Sequence, residues 1–310
     1  MELQRGSNQV WSGTLGPLDP DIYGYSFNID GVEVIDPSNP WSKPMRASRT
    51  SLVEVPGNPP RLWEFQPVPH GTVHIHNYFS KSLNRLRRLH VYTPPGYEKN
   101  RSRLPVLYLF HGSGDNDATW TVGGRAHFIA DNLLARKQCQ PMVIVMTDGH
   151  AYVAAPGAAA TNATARNVDA FRDDLLREVM PLVESTYRIK ADRAHRAIIG
   201  LSMGGGQSLR IGLERQDLFA WVGGMSSFLP DPEKAVAASF PKSKSDLRLL
   251  WIGCGKDDFL IDGARRLAAA LSERNIPHEF RETAGNHSWP VWRGYLGEFL
   301  PLLFTDKRKG

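Results

Sequence analysis

Ala194-His195-Arg196-Ala197-Ile198-Ile199-Gly200-Leu201-Ser202-Met203-Gly204-Gly205-Gly206 is the stretch on which the architecture of this chain turns. Residues 197–199 form an apolar run of the kind that makes a buried parallel strand. Gly-x-Ser-x-Gly follows at once, and then a helix-compatible segment from Gln207 to Glu214. A strand that turns directly into a helix forces the residue at the turn into a strained backbone conformation. Glycines two before and two after let the chain segments pass closely there. Ser202 would then project from the carboxyl edge of the sheet, with the free N–H groups of a helix N-terminus behind it. The other reading is a glycine-rich loop with an idle serine. The strand before and the helix after favour an activated nucleophile.

Working outward, strand candidates recur at 105–111, 142–147, 195–200, 218–224, 248–254 and 277–282. Helix candidates lie at 124–136, 168–187, 205–215, 261–274 and 290–303. Short apolar strands alternating with amphipathic helices predict an α/β fold, a mostly parallel sheet covered by helices on both faces. Thr72–Phe79 and Arg88–Thr93 alternate in polarity and suit antiparallel strands at the sheet's edge. His74 and His76 share a face of the first, but no Cys or carboxylate cluster accompanies them, so no metal site is expected.

A serine hydroxyl needs a histidine to take its proton and a carboxylate to orient that histidine. In an open α/β sheet these groups belong at the carboxyl ends of strands, in the order serine, acid, histidine. The strand ending at Cys254 runs into Gly255-Lys256-Asp257-Asp258, which offers two candidate acids. The strand ending near 282 runs into Ala284-Gly285-Asn286-His287-Ser288-Trp289, which supplies His287. An oxyanion would be met by backbone N–H groups of Met203 and of Ser113, in the turn after Leu107–His111. His111 is expected to hydrogen-bond beneath the site, and His150 to lie at its rim. Trp120 and Trp289 are placed to stack on a substrate ring, against the alternative of core or rim packing. The alanine-rich segment 151–164 follows a strand end and reads equally as a lid or as an inert loop.

Residues 1–60 differ in character. They are short aromatic segments punctuated by Pro and Gly, with Asp30-Gly31 as a hairpin signal between Tyr23–Ile29 and Val32–Ile35. They read as a small, truncated β-rich module of too few strands to close a sandwich. Its apolar residues Trp11, Tyr23, Tyr25, Phe27 and Ile29, the last four on one strand face, predict that it packs on the larger domain or pairs with a second copy. The proline-rich stretch 51–70 reads as the connection, with the linker at 61–71 and the α/β domain at 72–310.

The chain has 310 residues, 41% hydrophobic and 22% charged, with a net charge of +5. That describes an ordinary globular protein. The basic residues at 85–88 and 307–309 read as solvated surface, so nucleic acid is not an expected partner. No run reaches the length of a membrane span, the start is no secretory leader, and two cysteines make no disulfide framework.

His111-Gly112, Gly123-Gly124-Arg125-Ala126, Gly200–Gly205, Gly253–Asp258 and Gly285–Trp289 together resemble the esterase-D/feruloyl-esterase family of α/β-hydrolases, over about residues 70–305. Residues 10–60 resemble the latter part of an immunoglobulin-like early-set module found before some of these esterases. The resemblance implies an α/β-hydrolase fold with Ser202 as nucleophile, His287 as base, Asp258 rather than Asp257 as acid, and Ser113 and Met203 as oxyanion donors. It implies cofactor-free hydrolysis of carboxylic esters, foremost feruloyl or acetyl esters of plant cell-wall polysaccharide, and a secreted or periplasmic setting. Siderophore esterases and acyltransferases of the same family are the enzymatic alternatives. An inactive hydrolase fold used for carbohydrate binding is the non-enzymatic one.

Overall fold

The computed structural model describes residues 1–46, 50–153, 162–241 and 244–305. Its centre is an eight-stranded sheet built from β7 (Thr72–Ser80), β8 (Arg85–Thr93), β9 (Val106–Phe110), β10 (Val143–Thr147), β11 (Arg196–Gly200), β12 (Trp221–Met225), β13 (Leu249–Gly255) and β14 (Glu279–Thr283). The spatial order is β14-β13-β12-β11-β9-β10-β8-β7. The six strands from β9 onward run parallel, while β8 and β7 are antiparallel at one edge. All five residues of β9, β10, β11 and β12 are buried. These strands are buried on both faces and read as near-continuous apolar runs, interrupted only at their ends by Thr147 and Arg196, and not as alternating ones.

Successive side chains on β9 feed two different cores. Val106, Tyr108 and Phe110 join one apolar cluster, and Leu107 and Leu109 join the other. The first cluster is closed by α3 (Ala163–Asp174), α4 (Met180–Thr186), α5 (Met203–Glu214), α6 (Pro232–Ser239) and α7 (Ile261–Glu273). The second is closed by the one-turn α1 (Thr119–Val122), α2 (Ala126–Ala135) and α8 (Trp289–Phe299). In α7 the buried side chains Ile261, Ala264, Leu267, Ala268 and Leu271 recur at the spacing of one helical face. The predicted α/β architecture is present. Helix α6, absent from the expectation, is added between β12 and β13, and the expected helix 168–187 begins earlier and carries a π-helical segment at Leu175–Val179.

The first 60 residues form three two-stranded ribbons. These are β1 (Gln4–Arg5) with β2 (Trp11–Ser12), β3 (Asp21–Tyr25) with β6 (Ser51–Val55), and β4 (Phe27–Ile29) with β5 (Val32–Val34). Two expectations need correction. The strand expected over Tyr23–Ile29 breaks at Ser26, so its halves pair with different partners, and Trp11 and Ile29 stay exposed. The stretch read as a connection contains a strand, β6. The segment docks on the α/β body through a buried ion pair between Asp21 and Arg293. Near it, Arg125 stacks over Trp41 at 4.4 Å and meets Glu54 at 3.4 Å.

Candidate active site

β9 and β11 are neighbours, and the chain leaves β9 toward β10 on one side and β11 toward β12 on the other, so the connections leaving their carboxyl ends diverge and open a crevice. Ser202 stands at this edge, immediately before α5. Its backbone adopts φ 54° and ψ −115°, in the left-handed half of the map that a serine avoids. Three backbone hydrogen bonds hold it there. Its N–H donates to Met225 at 2.9 Å, and its carbonyl accepts from Gly206 at 3.0 Å and Phe228 at 2.9 Å. The flanking glycines are needed for close approach. A Cβ on Gly204 would sit 2.5 Å from the His111 carbonyl oxygen, and one on Gly200 would sit 2.4 Å from that of Gly204.

The two other members of the expected triad arrive from neighbouring strand ends. β13 leads into Asp258 and β14 into His287. His287 Nε2 is 3.0 Å from Ser202 Oγ, and its Nδ1 is 2.8 Å and 3.0 Å from the two oxygens of Asp258. Asp258 is 2% exposed. Burial pushes its carboxyl upward, but hydrogen bonds from His287, Ser226 and the Leu260 N–H outweigh that and hold it below the ordinary carboxylate range. The neighbouring Asp257 is exposed, and its N–H is tied to Gly285. The geometry thus separates the doubled acid. The imidazole is gripped from two sides, by the Phe259 ring at 4.5 Å and the edge of Trp292 at 4.9 Å, and Trp292 donates to Ser226 Oγ at 3.0 Å.

Met203 opens α5, where N–H groups lack intrahelical acceptors, and Ser113 lies exposed in the turn after β9. Both line the cavity that contains Ser202. His111, 1% exposed, sits beneath that turn. The Gly149 N–H donates to its Nε2 at 2.8 Å, so Nδ1 carries the proton and donates to the Gly112 carbonyl at 2.8 Å. It braces two loops, as expected. Gln207 and Asn167 both donate to the Gly149 carbonyl, at 2.8 Å and 3.0 Å, and complete that brace.

The cavity has a volume of about 1040 Å³. Neither tryptophan expected to meet substrate lines it. Trp120 is 1% exposed, donates its N–H to the Phe110 carbonyl at 2.9 Å and belongs to the core. Trp289 packs between Trp120 at 5.0 Å and Trp292 at 5.5 Å, with the Lys43 ammonium 5.6 Å above its ring. The aromatic walls are Phe228 and Phe259 instead, both exposed and neither singled out by sequence. Phe259 directly follows the triad acid, and that adjacency was the available signal. Arg46 and Tyr152 also reach the cavity. The proposed lid lies largely at 154–161, outside the described residues. His76 bonds Tyr187 and His74 bonds Thr93. Among the described residues no three His, Cys, Asp or Glu side chains gather as a metal site.

The profile of the esterase family, described as putative esterase, matches residues 80–303. Over 97% of its length the chain is 30% identical to an endo-1,4-beta-xylanase/feruloyl esterase of Xylanibacter ruminicola, and it spans 41% of that protein. An acetyl esterase of Caldicellulosiruptor saccharolyticus is 22% identical over 71% of this chain and 93% of its own. Among solved structures, a ferulic acid esterase superposes with a TM-score of 0.67 at 28% identity, covering 76% of this chain and 99% of that one. A ferulic acid esterase of Anaeromyces mucronatus, at 24% identity and a TM-score of 0.68, shares the fold over 78% of this chain and 93% of its own. With its α/β-hydrolase sheet and a family match spanning most of its length, the chain belongs to the esterase family.

Proposed function

We propose that this chain is a serine esterase that cleaves carboxylic esters through an acyl-Ser202 intermediate. The observation that carries the proposal is the unbroken relay Ser202 Oγ–His287 Nε2 at 3.0 Å and His287 Nδ1–Asp258 at 2.8 Å, poised at the carboxyl ends of β11, β13 and β14. His287 Nε2 takes the hydroxyl proton as Ser202 Oγ attacks the ester carbon. The N–H groups of Met203 and Ser113 receive the oxyanion that forms. As the tetrahedral adduct collapses, His287 returns the proton to the departing alcohol. The same nitrogen then deprotonates a water that attacks the acyl carbon and releases the acid. Asp258 keeps Nδ1 protonated throughout and stabilises the transient imidazolium.

The substrate class is a feruloyl or acetyl ester of plant cell-wall polysaccharide. Support comes from the feruloyl and acetyl esterase activities of the relatives and from the cavity itself. Phe228, Leu229 and Phe259 give apolar walls beside Ser202 that suit an aromatic acyl group. Initial rates on methyl ferulate, acetylated xylan and a catecholate siderophore test this. We expect kcat/KM on methyl ferulate or acetylated xylan to exceed that on the siderophore by at least about tenfold, the size of one good pocket contact. Failure to hydrolyse any carboxylic ester would overturn the proposal.

A further inference from the structure

Beyond Ser113, the main cavity continues past Arg46, His150 and Tyr152 into a second one of about 500 Å³, and these three residues line both. Four guanidinium groups border the second cavity: Arg46, Arg85, Arg87 and Arg88. Two of them are neutralised. Arg87 lies 3.4 Å from Asp174 and 3.7 Å from Asp148, and Arg88 lies 2.6 Å from Asp117.

Arg46 and Arg85 are in a different position. Among the described residues the Arg46 side chain reaches the Nδ1 of His150 at 3.4 Å, and Arg85 donates to the carbonyls of His150 at 2.5 Å and Ala151 at 2.9 Å. Among the described residues neither is ion-paired with a carboxylate. The two carboxylates that line the groove, Asp117 and Asp148, are engaged by Arg88 and Arg87, and Asp148 and Asp174 act on Arg85 only through space. No Asp or Glu occurs between Asp36 and Glu54, or between Asp148 and Asp169. His150 adds no further positive charge. Burial pushes its imidazole down to about 4, so it is neutral at ordinary pH. An open guanidinium is a bidentate receptor for a carboxylate.

Arg46 is held in place by its own segment. Its N–H donates to the Gly114 carbonyl at 3.1 Å, Thr119 donates to the Pro44 carbonyl at 2.9 Å, and Lys43 pairs with Asp115 at 3.0 Å. The N-terminal segment therefore carries a cation onto the loop that bears Ser113. The groove beside it offers the Asn77 amide, the Tyr152 ring and the apolar Leu86, a mixed lining suited to a sugar ring.

We propose that the groove between Arg46 and Arg85 is a subsite for a carboxylate-bearing sugar, a uronic acid unit on the carbohydrate part of the ester. The sugar rests on the polysaccharide-ester reading above. The carboxylate rests on the two guanidinium groups.

Calorimetric titration of the full chain with unesterified oligosaccharides tests this without requiring turnover. The probes are xylotriose carrying one glucuronic acid, neutral xylotetraose, and succinate as a carboxylate without a sugar. The acidic oligosaccharide should bind about tenfold more tightly than the neutral one, the effect of one charge-assisted hydrogen-bond pair. The advantage should shrink in high salt. Arg46→Gln, at an exposed side chain, should erase it, and Arg46→Lys should restore part of it. Equal affinities for the acidic and neutral sugars would overturn the proposal. So would a preference that survives both Arg46→Gln and Arg85→Gln. Succinate binding as tightly as the acidic sugar would overturn the sugar assignment. A failed esterase reading shows separately, as absent turnover of methyl ferulate, and leaves these affinities readable.

Discussion

At the residue scale the account stands on three side chains and one turn. Ser202→Ala and His287→Ala should each lower kcat on any ester by about three to six orders of magnitude, because a nucleophile and its base act as a unit. Circular dichroism should show both variants folded. Asp258→Asn should cost about a hundredfold or more in kcat through loss of imidazole orientation, and Asp257→Asn should change it less than about threefold. Equal effects would move the acid role to Asp257. Gly204→Ala forces a methyl against the His111 carbonyl, and thermal melting should report a loss of about 1–3 kcal/mol, the usual cost of overpacking. Much of this was legible in the sequence. A nucleophile turn is written in consecutive residues, and its partners lie at strand ends that apolar runs mark. Choosing Asp258 over Asp257 was not, from the residues alone. Which of two adjacent carboxylates faces inward depends on a tight turn whose dihedrals no pattern encodes. Trp120 misled for a related reason. A tryptophan near a site loop reads the same whether its N–H meets substrate or, as here, the Phe110 carbonyl.

At the element scale the six parallel strands fall within a few residues of their expected positions, the inner five because buried strands are near-continuous apolar runs, whereas β14 at the sheet's edge has no buried residue and no such run. Helix α6 escaped notice since Pro232 and Val236 are its only buried residues, too few to display a period. Strand β6 was hidden among prolines. It matters nonetheless, because β3 and β6 place Asp21 against Arg293, which is 1% exposed. Asp21→Ala would strand a buried guanidinium, and chemical denaturation should show a loss of about 3–5 kcal/mol. Deletion of residues 1–60 should lower the melting temperature for the same reason. A melting temperature unchanged by both would mean that the segment does not dock as described.

On the scale of the whole molecule, the sheet supplies a rigid edge and the N-terminal segment completes the rim of its cleft. The pairing of that segment with the α/β body lies between residues far apart in the chain, 75 positions for Pro44 and Thr119 and 272 for Asp21 and Arg293, which local patterns do not register. Acid sensitivity is also a property of the whole. Burial pushes both His127 and His150 down to about 4 in the folded chain. Unfolded, they would take up protons near pH 6.5. Stability from these groups is therefore full above about pH 6.5 and is lost as pH falls toward 4, because the unfolded chain then binds more protons. Denaturation midpoints measured across that window should decline, and a flat profile would contradict the burial of these imidazoles. The central claim is the covalent intermediate. Wild-type protein mixed with an activated feruloyl or acetyl ester, quenched in acid and digested, should carry one acyl group on the peptide containing Ser202, and Ser202→Ala should carry none. An acyl group mapped to another residue, or hydrolysis by Ser202→Ala at the wild-type rate, would contradict the account.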